Sequence, residues 1–82
     1  MCNVKQITDR LYRGFIDVDL PVSIELEYRA DIGAEVWCVY IDLTKQCQGY
    51  IFIDYTATIE QAKLLASDIS TNDLPEHIRE IL

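Results

Sequence analysis

Basic residues are scarce in this chain. Seven Lys and Arg stand against fourteen Asp and Glu, a formal net charge of −7 over 82 residues. Phosphate backbones and anionic lipid surfaces both call for a basic face, so this shortage argues against direct nucleic-acid or membrane-surface binding. Proline and glycine are few as well, at two and three. With no repeat and no low-complexity run, no linker divides the chain, and one compact domain over residues 1–82 is expected. Histidine occurs once, at His77, so no second imidazole can join it on a metal. Three cysteines, Cys2, Cys38 and Cys47, make an odd number with no C-x-x-C. That pattern fits a reducing compartment better than a disulfide framework. The longest apolar run, Val36 to Ile41, is six residues, whereas a bilayer crossing needs roughly 20. Met1 to Arg10 holds no signal-peptide core. These absences lead to an expectation of a soluble, cytoplasmic protein.

What the chain does hold is apolar and aromatic. Half its residues are hydrophobic, with five Tyr, two Phe and one Trp, too rich a mixture for a disordered acidic tail. Residues 3–13 fit a short helix: Asn3 can cap it with Gln6 three positions on, Val4, Ile7 and Leu11 share a helical face, and Gly14 suits the position beyond the end. A strand starting near Leu11 is the competing reading, since Tyr12, Ile16, Val18 and Leu20 alternate. Val22, Ile24, Leu26 and Tyr28 alternate with Ser23, Glu25, Glu27 and Arg29, the period of a half-buried strand. Pro21 lacks an amide donor, which points to an edge strand from Phe15 to Arg29, broken or bulged at the proline. Asp31-Ile32-Gly33 supplies a turn, and 35–43 with 49–56 form a hairpin around 44–48. Thr58 opens a helix with Gln61 placed for a capping box, and Asp73 begins a last short helix through Leu82. The expected fold is a small α+β domain: a three- to four-stranded antiparallel sheet with helices on one face, in the order (α)βββαα.

The hairpin carries more apolar surface than one helical layer can cover. With Leu43 facing Gly49, one face holds Trp37, Val39, Ile41, Ile51, Ile53 and Tyr55. The other holds Val36, Cys38, Tyr40, Tyr50 and Phe52, with Asp42 and Asp54. A four-residue loop would exchange the faces of the second strand. Either the N-terminal segment and the last helix fold over the second face, or it meets another molecule, a partner or a second copy, since large exposed apolar patches are uncommon on soluble monomers. Tyr40, Tyr50 and Phe52 are the anchors in that second case.

The acidity is concentrated. Residues 14–44 hold seven acids against Arg29 alone, a net of −6, while the rest of the chain nets −1. Glu25 and Glu27 sit two apart on a strand, about 6.7 Å on the same face, and Asp17 with Asp19 form a second such pair. Such a face can serve solubility alone. Together with Glu35 it can also steer the chain onto a basic protein surface, one whose phosphate ligands it would imitate. No calcium-loop spacing accompanies these carboxylates.

No catalytic constellation stands out. Cys38 lies mid-strand, where a cysteine is a small core hydrophobe. Cys47, beside Lys45 in the loop, has no local base or acid arranged around it. There is no G-x-G-x-x-G and no phosphate-binding loop, and a carboxylate pair at Asp42 and Asp54 would have little room for a pocket. No enzyme activity, cofactor or metal is expected.

With a first helix, the order α-β-β-β-α is similar to that of double-stranded RNA-binding domains, and Ala62-Lys63-Leu64-Leu65-Ala66 echoes the Ala-Lys run of that family's last helix. Ile59, Glu60 and Gln61 stand where that family places basic residues, so RNA binding does not carry over. Thr58-Ile59-Glu60-Gln61-Ala62 resembles a helix start of HicB-type antitoxins. The leading expectation is a small acidic interaction module, an inhibitor or antitoxin-like protein of phage or mobile-element kind. It would dock through Asp17, Asp19, Glu25, Glu27, Glu35, Tyr40, Tyr50 and Phe52 on a basic nucleic-acid-handling protein. The alternatives are a structural subunit or homodimer and a degenerate RNA-binding-domain-like module.

Overall fold

The computed structural model describes residues 2–16, 20–44 and 49–69. Five strands follow one another as an antiparallel meander: β1 Cys2–Thr8, β2 Leu11–Ile16, β3 Leu20–Arg29, β4 Ala34–Leu43 and β5 Gly49–Thr56, in the spatial order β1-β2-β3-β4-β5. Among the described residues one helix, α1 Ile59–Asp68, comes after them. The expected (α)βββαα order and three- to four-stranded sheet are therefore corrected to a five-stranded sheet with a helix after it. The last helix expected from Asp73 to Leu82 lies outside the described residues, as do Asp17, Asp19, Lys45, Cys47 and His77.

The first helix fails for a reason visible in its own residues. Val4, Ile7 and Leu11 have helical spacing, but the segment reverses at Asp9-Arg10, where the Arg10 amide donates to Thr8 Oγ1 (3.1 Å). The two arms then pair from Cys2↔Ile16 to Gln6↔Tyr12, with a bulge at Ile7 that accounts for the misleading three-residue step. The strand reading from Leu11 is the one realised. Without a helix at the front, the likeness to double-stranded RNA-binding domains loses its topological basis.

β3 is the centre of the sheet, not its edge. It pairs with β2 from Leu11↔Glu25 to Ile16↔Leu20 and with β4 from Val22↔Ile41 to Arg29↔Ala34. Pro21 is accommodated because it is the second residue of β3, and the pairing with β4 begins one residue later. Gly33 closes the β3–β4 turn at φ 66°, with its amide on the Arg29 carbonyl (2.8 Å).

Alternation divides the sheet into two faces. The inner face buries Ile16, Leu20, Val22, Ile24, Val39, Ile41 and Leu43 against Ala62, Ala66 and Ile69 of α1 and its C-terminal cap. Alanines on the helix let its axis approach the sheet closely. Thr58 caps α1 with both halves of the capping box in place: the Gln61 amide donates to Thr58 Oγ1 (3.2 Å) and the Thr58 amide to Gln61 Oε1 (3.3 Å). At one margin Tyr12 meets Trp37 edge to face (5.6 Å), with the Lys63 ammonium 5.1 Å from the Tyr12 ring centre.

Gly14 is not a cap but a mid-strand crossing point. A Cβ there would lie 2.6 Å from Val4 Cα and closer still to the Asn3 carbonyl. Only glycine lets β1 bend this tightly over β2. Gly14→Ala should therefore cost about 1–3 kcal/mol through overpacking against backbone, against about 1 kcal/mol for removing the Thr58 cap in Thr58→Ala. Urea midpoints of the two variants check that order; a Gly14→Ala protein as stable as the parent would contradict the crossing.

Candidate functional site

The outer face of the sheet carries the residues singled out above, and the β4–β5 register decides which of them meet. Leu43↔Gly49, Asp42↔Tyr50, Ile41↔Ile51 and Tyr40↔Phe52 follow the expected five-residue loop. A bulge then intervenes, so that Val39 pairs with Asp54 and Cys38 with Tyr55. Tyr55, expected on the face of Trp37 and Val39, is carried to the outer face instead, and Asp54 leaves the side of Asp42. The Asp42–Asp54 carboxylate pair is thereby undone.

Tyr40, Tyr50 and Phe52 come together. Tyr40 packs edge to face on Tyr50 (6.1 Å) and on Phe52 (5.7 Å). Tyr50 remains 47% exposed and Phe52 43%. The Arg29 guanidinium lies 5.2 Å from the Phe52 ring centre and 5.0 Å from that of Tyr55, a double cation–π contact made possible by the bulge. Arg13 reaches in from β2, donating to the Tyr50 hydroxyl (3.3 Å).

Long side chains of the sheet itself thus cover part of this face. Val36 and Cys38 are buried there, with no helix over them among the described residues. Burial pushes the Cys38 thiol up, and the neighbouring Glu27 carboxylate adds to the shift, so this cysteine is held as a thiol and is a poor nucleophile. Ser23, in register between Arg13 and Tyr40, is only 1% exposed, and its hydroxyl has no hydrogen-bond partner among the described residues.

The acidic residues part company. Glu25 and Glu27 both lie on the outer face of β3, in register with Cys38 and Val36, and Glu27 Oε2 accepts a hydrogen bond from the Tyr40 hydroxyl. Glu35 occupies a register position on the opposite face, opposite Tyr28, and forms an ion pair with Arg10 at 2.7 Å. Asp31 pairs with Arg29 at 3.2 Å, a contact that lowers the Asp31 carboxyl and raises the guanidinium. Among the described members of the strip, Glu25 and Glu27 stand beside an aromatic cluster with Arg29 at one end, and Glu35 does not join them. Arg13 and Arg29, which join the cluster, were not singled out from sequence. Like Arg29's place over Tyr55, Arg13's reach to Tyr50 depends on which strands are neighbours.

No family model, curated protein or solved structure matches this chain. No helix among the described residues is long and apolar enough to cross a membrane.

The Tyr40 hydroxyl ionises well above the usual tyrosine range, first because it is partly buried and then because it donates to Glu27. A folded-state value raised in this way leaves stability intact below the unfolded value, about 10, and removes it as pH climbs through the folded value. Denaturant midpoints should fall steeply for the parent as pH rises past about 10, and Tyr40→Phe should remove that part of the fall. Identical alkaline profiles for the two proteins would contradict the Tyr40–Glu27 hydrogen bond.

Proposed function

We propose that this protein is a non-catalytic binding module that docks a partner protein through the outer face of its sheet. The observation that carries the reading is the exposed Tyr50–Phe52 pair, braced by Tyr40 and set beside Glu25 and Glu27 on one surface. Braced aromatics lose little side-chain freedom on binding and supply large contact area, which makes them common binding anchors. A net charge of −7 favours a partner with a basic surface, found quickly by electrostatic steering. A basic surface of this kind is typical of proteins that handle nucleic acid, and occluding one would make the chain an inhibitor or antitoxin-like protein acting as an acidic mimic.

Self-association through the same face is less favourable, because two copies bring like net charges together. Capture from host lysate with the parent, Phe52→Lys and E25K/E27K as baits tests the reading. Expected is a basic protein retained by the parent, released by raised salt, and lost or strongly weakened with both variants. Retention indifferent to both variants would refute docking through this face. A parent that sediments as a dimer, and Phe52→Lys as a monomer, would assign the face to a second copy instead.

A further inference from the structure

Besides the aromatic cluster, the outer face holds a groove of about 490 Å³ at its β1–β3 end. That is within the range of small-molecule sites, roughly 300–1,000 Å³. Lys5 and Arg13 line it, with Ile7, Phe15 and Pro21 as its apolar surface and Thr44 at its rim. Lys5 and Arg13 are direct cross-strand partners in the β1–β2 register. Two like charges placed opposite one another are destabilising, and in a chain with twice as many acids as bases their meeting calls for a reason. Among the described residues neither forms an ion pair; Arg10 and Arg29 take Glu35 and Asp31. Arg13's hydrogen bond goes to a neutral phenol, Tyr50.

We propose that this groove binds a small amphipathic carboxylate, its anionic head between Lys5 and Arg13 and its apolar body against Phe15, Pro21 and Ile7. A carboxylate there would relieve the Lys5–Arg13 repulsion and accept charge-assisted hydrogen bonds, with the planar guanidinium able to grip it through two donors. Phe15, 46% exposed on a sheet whose inner residues are well covered, is the surface an apolar body would bury. Asp42 also lines the groove. Its carboxylate receives the Thr44 amide (3.0 Å) and hydroxyl (2.6 Å), and the two cations of the Lys5–Arg13 wall outnumber it. The close approach at Gly14 holds β1 against β2 and so keeps the backbones of Lys5 and Arg13 side by side without a ligand.

The proposal does not rest on the partner-docking reading, since its test uses the isolated chain and no protein partner. Phenylacetate is titrated into the full-length protein with amide and side-chain NMR shifts as the readout, and 2-phenylethanol serves as the uncharged counterpart. Expected is saturable binding of phenylacetate, with shifts centred on Lys5, Arg13, Phe15 and Thr44, and at least roughly tenfold weaker binding of the alcohol. K5Q/R13Q, both on the surface, should weaken phenylacetate by a similar factor and abolish its salt sensitivity while circular dichroism stays unchanged. Phe15→Ser should weaken both probes. Equal binding of the acid and the alcohol, shifts located elsewhere, or no saturable phenylacetate binding would each overturn the proposal.

Discussion

Among the described residues a single helix serves a sheet of five strands, and their packing is organised by that mismatch. α1 is ten residues long, about 15 Å at a rise of 1.5 Å per residue, whereas five strands spaced about 4.8 Å apart span about 19 Å between the outermost axes. α1 nonetheless contacts β1, β4 and β5, and from the margin where β1 passes close to Gly14 Val4 and Tyr12 pack against the core. Ala62 and Ala66, fully buried, let the helix sit low enough to close the centre over Ile24, Val39 and Ile41.

With α1 committed to the inner face, what covers the outer face among the described residues is the sheet's own side chains. The β5 bulge turns Tyr55 outward, where it joins Phe52 in receiving Arg29. The same arginine holds Asp31, so one guanidinium ties the β3–β4 turn to the aromatic cluster. Glu27 and Tyr40 close the row from the other side. Extended polar side chains lying over apolar surface in this way bury their stems and keep their heads in water. The outcome is a face that is neither a dry core nor an ordinary solvated surface, with aromatic edges left open at Tyr50 and Phe52.

How far this was legible in the sequence differs by element. The Thr58–Gln61 capping box could be read because its donors and acceptors lie within four consecutive residues, and the β3–β4 turn because only a glycine suits the φ of Gly33. Strict alternation from Val22 to Arg29 assigned the faces of β3. Residues 3–13 misled because a bulge at Ile7 put apolar side chains three and four apart, imitating a helix inside a hairpin. Pro21 misled in the opposite direction: its missing donor argues for an edge, and a position next to the strand's start satisfies the same restriction in the centre of a sheet. The aromatic anchors were legible from alternation within two strands. Their cationic neighbours were not, because Arg13 and Arg29 arrive from strands whose adjacency no local pattern encodes.

The charge count shows why distribution matters more than sum. Of the seven acids between residues 14 and 44, Asp31 and Glu35 have arginine partners, Asp42 is bound to Thr44, and Glu27 holds a tyrosine. Ion pairs at exposed positions add little stability, but each removes a charge from the field a partner would feel. Glu35 also faces the other way. Among the described residues the outer face keeps Glu25, Glu27 and Asp42 together with Arg13 and Arg29, a surface with both signs in short reach of one another. Such a surface distinguishes partners by the position of a charge as well as by its sign, and like-charge contacts formed in a wrong orientation cost more than correct ones gain. On the proposed docking reading, the acidic excess would draw basic surfaces from a distance, and the mixed pattern around Tyr50 and Phe52 would govern which of them can seat.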